Sequence, residues 1–170
     1  MFDSTGEDRF TTLLAQNRPY LRKVTLMYGV SPEDREDLHQ EILVQLWRSF
    51  ASYDSTRPFA TWMYRVALNV AISRMRQMGR DRRIVAPHAI PLEPADPQTQ
   101  GDDADERLTR LRYLMTKLDE FERALLLLHL EERSYREIAE VLGIRESNVG
   151  TKLNRLRQRL RELTVEELKR

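Results

Sequence analysis

The chain has 170 residues, 41% of them hydrophobic and 32% charged, with a formal net charge of +1 and no cysteine. Such a balance belongs to a globular protein of one domain or two small ones, and it excludes disulfides, thiolate metal sites and cysteine nucleophiles. The N-terminal MFDSTGED has neither the basic nor the apolar region of a signal peptide, and no apolar run approaches the ~18 residues of a membrane span, so a cytoplasmic location is expected.

In chain order, Phe10, Leu13, Leu14, Leu21, Val24 and Met27 fall at helical spacings and predict a first helix, interrupted or kinked near Pro19. Ser31-Pro32-Glu33-Asp34 is a helix start: Ser as N-cap, Pro at the first helical position, acids in the first turn where the helix dipole favours them. The helix that follows gathers Leu38, Ile42, Leu43, Leu46, Trp47 and Phe50 on a broad apolar face. Its outer face opens with Glu36, Asp37, Gln40 and Glu41, an acidic patch that suits either water or a partner.

Ala51 to Pro58 is turn-rich, and Asp54, Ser55 and Thr56 can all bond their local backbone. Phe59 to Gln77 then predicts a long helix with Met63, Val66, Ala67, Val70 and Ala71 facing inward. On another face Trp62, Arg65, Asn69, Ser73 and Arg76 recur at i, i+3, i+7, i+11 and i+14. An aromatic, two guanidiniums and an amide on one line suit unpaired nucleic acid, since bases stack on rings while Arg and Asn take phosphates and base edges. The basic residues Arg74, Arg76, Arg80, Arg82 and Arg83 are also suited to a phosphate backbone.

From Ile84 to Glu106 the periodicity stops. Prolines recur at 87, 91, 94 and 97, and Glu93, Asp96, Asp102, Asp103, Asp105 and Glu106 stand there without any Lys or Arg. That composition predicts a flexible linker, extended in its proline half. Beyond it Leu108, Leu111, Leu114, Met115 and Leu118 mark one helix and Glu120 to Leu130 another. Residues 1–83, 84–106 and 107–170 are thus the expected first domain, linker and second domain.

Ser134 to Arg161 closes the chain with a helix-turn-helix. Ser134 and Glu137 form an S-x-x-E capping box, and Gly143 can take the positive φ that ends the first helix. In the second helix Val149, Leu153, Leu156, Leu160 and Leu163 make one buried stripe, while Asn148, Lys152, Arg155 and Arg159 line the opposite side. A basic face of donors on the second helix of such a unit fits duplex DNA. Enzymatic chemistry finds no foothold: His39, His88 and His129 are scattered, and no glycines form a phosphate loop. Neither cofactor nor metal is expected. No strand pattern exists, so the fold class is all-α.

Together these stretches resemble a bacterial RNA polymerase sigma factor of the extracytoplasmic-function group. DREDLHQE matches an acidic D-x-E-D-L-x-Q-E helix, and FATWMYRVALN resembles an F-x-T-W-L-Y-R-I-A-x-N helix. LDEFERALLLLHLEERSYREIAEVLGI resembles the second-domain signature that ends in S-Y-x-E-I-A-x-x-L-G-I. S-Y-x-E-I-A alone occurs in other helix-turn-helix regulators; both motifs in this order, across such a linker, are specific.

The resemblance implies two helical domains, sigma-two and sigma-four, and a protein that binds core RNA polymerase, directs it to promoters and helps melt them. Asp37, Leu38, Gln40, Glu41 and Trp47 would dock on the polymerase. Asp54, Ser55, Thr56, Arg57 and Phe59, with Trp62, Arg65, Asn69 and Arg76, would capture the unpaired −10 strand, a base flipped into a pocket. Arg145, Ser147, Asn148, Thr151, Lys152, Arg155 and Arg159 would meet the −35 duplex through the major groove. The acidic linker would thread the RNA exit path. An anti-sigma protein is a possible partner, and a fused sensing module is not expected. Arg145, Asn148, Gly150 and Ser73 depart from frequent family residues, and the start of the recognition helix is expected to shift toward Ser147. A stand-alone helix-turn-helix regulator of duplex DNA is the alternative.

Overall fold

Apolar residues at helical spacing dictate helices, and helices are what form. The computed structural model describes residues 4–82 and 113–168, with side chains over 6–79 and 113–166; among them every regular element is helical and none is a strand. The fold is all-α, and the described helices fall into two compact units. The linker expected over 84–106 lies outside the described residues.

The first unit holds α1 (Ser4–Tyr28), α2 (Pro32–Ser49), a short 3₁₀ turn (Phe50–Ser52) and α3 (Phe59–Arg82), with each α-helix packed on the other two. α1 is not interrupted at Pro19. A proline inside a helix forfeits a hydrogen bond at a cost of about 3 kcal/mol. Packing offsets that cost, because Phe10 on one side of Pro19 and Leu21, Val24 and Tyr28 on the other are all buried.

Gly29 turns the chain into α2. Its amide donates to the Thr25 carbonyl at 2.8 Å, and an added Cβ would press on Arg35 Cγ and lie 2.9 Å from both Arg35 Cα and the Thr25 oxygen. Ser31 then caps α2 as expected, its Oγ accepting from the Asp34 amide at 3.1 Å with Pro32 following. Leu38, Ile42 and Leu46 are fully buried, each contributing about 1.5–3 kcal/mol by leaving water. Leu43 and Trp47 flank that stripe half-buried.

The inward face of α3 is rotated from the expected one. Met63, Ala67 and Ala71 are buried as predicted, but Tyr64 and Leu68 are buried too, while Val66 and Val70 are only half-buried. α3 packs against both α1 and α2, so its apolar stripe must serve two neighbours rather than one.

In the second unit a helical segment over 113–117 precedes α4 (Glu120–Leu130), α5 (Tyr135–Leu142) and α6 (Glu146–Leu168). Asp119 and Glu122 form a reciprocal capping box at α4, each side chain bonded to the other's amide at 2.7 and 3.0 Å. α4 ends with the Arg133 amide on the Leu128 carbonyl at 3.1 Å, which requires Glu132 to take φ +54°. α5 carries the predicted capping box, with the Ser134 amide on Glu137 at 2.9 Å and the Glu137 amide on Ser134 Oγ at 3.2 Å. Gly143 takes φ +66°, and the Ile144 amide closes on the Ala139 carbonyl at 3.1 Å. Leu125, Leu128, Ile138, Val149, Leu153 and Leu156 are buried. α6 begins at Glu146 and not nearer Ser147, because the Arg145 carbonyl already accepts from the Asn148 amide at 2.9 Å.

Two substitutions test these backbone assignments by chemical denaturation. Gly29→Ala is expected to cost about 1–3 kcal/mol, since its methyl meets the Arg35 and Thr25 backbone as well as the Arg35 side chain. Glu132→Gly should stabilise by about 0.5–1 kcal/mol, because a non-glycine residue in the left-handed region costs roughly that much.

Candidate nucleic-acid interface

Six aromatic rings gather where α1, α2, the 3₁₀ turn and the start of α3 meet. Phe50 stands edge-on to Phe10 at 5.0 Å and to Trp62 at 6.2 Å, and it stacks on Tyr53 at 5.9 Å. Trp62 is also tilted against Tyr53 at 5.2 Å and Phe59 at 5.3 Å, and Trp47 lies edge-on to Phe10 at 5.1 Å. Phe59 is therefore buried beneath the surface, whereas Trp62 is half-exposed at its edge.

The loop that follows Tyr53 is held by its own polar groups. Asp54 Oδ1 accepts from the Thr56 amide at 2.9 Å and from Thr56 Oγ1 at 2.7 Å, and the Arg57 amide donates to the Asp54 carbonyl at 3.1 Å. Tyr53 Oη donates to the Arg57 carbonyl at 2.7 Å, tying the loop to the ring cluster. The amide of Thr56 first, then its hydroxyl, holds the Asp54 carboxyl below the ordinary carboxylate pKa. Asp54, Ser55, Thr56 and Arg57 are all exposed.

From this loop α3 leads away with Arg65, Asn69, Ser73 and Arg76 exposed in line with Trp62, as the spacing predicted. Eight of the nine residues expected at the −10 strand therefore share one exposed strip, with Phe59 supporting it from below. Arg74 belongs elsewhere. It is on the α2 side of α3, where its guanidinium donates to Asp34 Oδ1 at 2.7 Å and Glu41 Oε2 at 3.2 Å, with Asp37 at 3.9 Å. Burial disfavours its charge, yet the hydrogen bonds to Asp34 and Glu41 outweigh that and raise its pKa. The phosphate role expected of Arg74 is thus replaced by a bridge between helices.

That bridge lies under the acidic patch. Asp37, Gln40 and Glu41 are exposed on α2, Gln40 donating to Glu36 at 2.9 Å. Leu38, expected in the same docking set, is 1% exposed and is a core residue. Trp47 is half-buried against Phe10.

In the second unit Arg145, Ser147, Asn148, Thr151 and Arg155 are exposed at the turn and along α6. The other two residues of the expected set face α4. Lys152 Nζ lies 4.9 Å from the Phe121 ring centre, and Arg159 donates to Glu122 at 2.8 Å and to the Lys117 carbonyl at 2.9 Å. At 100° per residue, Lys152 and Arg159 lie between the buried stripe and Asn148, so engagement with α4 follows from their phase. Nothing local in the sequence marks these partners, which are tens of residues away; D-x-x-E at Asp119 and Glu122 signals a helix cap but not a contact with Arg159.

Comparison with known proteins gives two family models: residues 13–81 match Sigma-70 region 2, and residues 108–160 match Sigma-70, region 4. The ECF RNA polymerase sigma factor SigE of Mycolicibacterium smegmatis is 30% identical over 169 residues, covering 95% of this chain and 65% of that protein. The RNA polymerase sigma factor YlaC of Bacillus subtilis is 32% identical over 137 residues, covering 76% of this chain and 77% of that protein. In structure, the sigma factor RpoE of Bartonella quintana, solved in complex with the anti-sigma factor NepR, superposes with a TM-score of 0.73 at 24% identity, over 92% of this chain and 96% of that one.

The Asp54 turn gives a pH test. A carboxylate whose folded pKa is lowered stabilises the turn fully above its unfolded pKa and loses that contribution as pH falls through the lowered value. The Thr56 amide resonance, followed by NMR, should keep its high-pH shift below the pH at which free carboxylates titrate; Thr56→Val should move its transition upward.

Proposed function

Because the chain belongs to the RNA polymerase sigma factors of the extracytoplasmic-function group, we propose that it binds core RNA polymerase and directs promoter-specific initiation of transcription in the cytoplasm. The observation that carries this reading is the exposed strip from the Asp54 turn through Trp62, Arg65, Asn69 and Arg76. Rings at one end and guanidiniums along the rest suit an unpaired strand, whose bases stack while its phosphates pair with cations.

In this reading the acidic outer face of α2, Asp37, Gln40 and Glu41 with the edge of Trp47, meets core polymerase, and Leu38 holds that face from inside. The strip on the first unit binds the non-template strand of the −10 element once a base has left the stack. Unstacking costs a few kcal/mol, and selective affinity for the unpaired strand offsets it, so strand separation requires no catalytic group and the protein is not an enzyme. Arg145, Ser147, Asn148, Thr151 and Arg155 meet the −35 duplex, with arginines on phosphates and shorter side chains on base edges. Lys152 and Arg159 act by fixing α6 against α4. Residues 1–83 and 107–170 serve as the two binding domains, 84–106 as their linker. An anti-sigma protein, such as accompanies the Bartonella quintana sigma factor, is a further expected partner.

Run-off transcription with core polymerase and a promoter library tests the proposal as a whole. Silence on every promoter, together with tight duplex binding by the protein alone, would identify a stand-alone regulator instead. Finer assignments follow by residue. Asn69→Ala should lower open-complex formation while leaving affinity for −35 duplex unchanged. Arg155→Ala should weaken duplex binding and reduce its salt slope by about one, as loss of one phosphate contact does. Arg159→Ala should lower the melting temperature of the second unit and leave that slope unchanged.

A further inference from the structure

Arg74 stands on α3 apart from the nucleic-acid strip. Counting residues around the helix, it lies about 140° from Asn69, away from the exposed line and toward α2. Its guanidinium spans three carboxylates of unequal exposure. Asp34 is the inner one, with its side chain 15% exposed; its Oδ1 takes Arg74 at 2.7 Å and its Oδ2 takes the Val30 amide at 2.8 Å. Asp37 and Glu41 are the outer ones, 74% and 53% exposed, at 3.9 and 3.2 Å from the same guanidinium. One fork therefore has a fixed inner anchor and two outward acids.

We propose that Arg74 is a positioning residue for partner binding: anchored on Asp34, it sets Asp37 and Glu41 in the geometry with which α2 meets a cationic surface of core polymerase. The proposal rests on the sigma-factor reading above and adds to it. Three carboxylates against one guanidinium leave the cluster formally negative by two, so a cation from a partner completes the cluster and need not displace Arg74. Both acids are on long or exposed side chains that would otherwise sample several rotamers. Holding them near one arrangement before docking removes part of the ordering cost of association.

The charge sign separates this role from a general electrostatic one. Arg74→Gln makes the α2 patch more negative, and attraction to a cationic partner would on field strength alone increase. Positioning demands the opposite. With the full chain and purified core polymerase, Arg74→Gln is expected to weaken binding roughly tenfold, in line with losing a preorganised charge pair, and Arg74→Lys to recover part of the loss. Asp34→Asn, which leaves Asp37, Glu41 and Arg74 in place but weakens the anchor, should weaken binding in the same direction. Circular dichroism melting of each variant confirms that the first unit is folded at the assay temperature. Binding by folded Arg74→Gln that is unchanged or tighter overturns the proposal; if that variant is unfolded, wild-type affinity in folded Asp34→Asn overturns it equally. A wild-type chain that does not bind core polymerase sinks the sigma-factor reading itself, whereas wild-type binding with indifferent variants sinks only the role of Arg74.

Discussion

The ring of Phe50 touches four others, and much of the first unit is arranged by that contact. Phe10 brings α1 to it, Phe59 and Trp62 bring the start of α3, and Tyr53 begins the loop between. Edge-to-face and offset rings have preferred separations and angles, so such a cluster fixes direction as well as burying area. The exit of α2 and the entry of α3 are thereby held in one relation. The Asp54 turn, only a few residues long, inherits its position from both ends, with Tyr53 Oη on the Arg57 carbonyl as the clasp. For the proposed role the strip of loop and helix must be preorganised, which requires that the loop not drift, and here the rings prevent that.

Polar groups repeat this logic at the starts of α2, α4 and α5. Ser31 caps α2, Asp119 and Glu122 close α4, and Ser134 and Glu137 close α5. The Ser134 amide above all holds the Glu137 carboxyl below its ordinary pKa, and Arg133 at 3.4 Å adds to that. These caps are local in sequence, cost little entropy to form, and set where each helix begins before any tertiary contact. Glu132, strained at φ +54°, is the exception: the chain accepts that strain because its α4-ending hydrogen bond and the α5 cap leave one residue to make the turn.

Local chemistry is also what the sequence made legible. Caps, the Gly143 turn, the Leu38–Ile42–Leu46 stripe and the exposed line from Arg65 to Arg76 could be read because spacing within one helix decides them. Contacts across helices could not. Arg74 was indistinguishable from its basic neighbours until Asp34 and Glu41, on another helix, were placed beside it. Leu38 entered the docking set through the family resemblance, beside the exposed Asp37 and Gln40, although its own phase points it inward. Lys152 and Arg159 looked like the rest of a basic face, yet a rotation of some 20–40° from Asn148 puts them beside Phe121 and Glu122. Pro19 misled in the other direction, since propensity alone cannot weigh the packing on either side of it.

The division of α6 into a free side and an engaged side has an evolutionary meaning. Ser147, Asn148, Thr151 and Arg155 face solvent, and among the described residues their side chains make no hydrogen bond or ion pair, so substitution there leaves the helix pair intact. Lys152 and Arg159 are bound to α4, and change there disturbs the scaffold. If the free side meets the −35 duplex, as proposed, a lineage could drift from one promoter preference to another by single replacements, each passing through a stable protein. The same four positions would be the ones to randomise in building a set of mutually insulated variants on this framework.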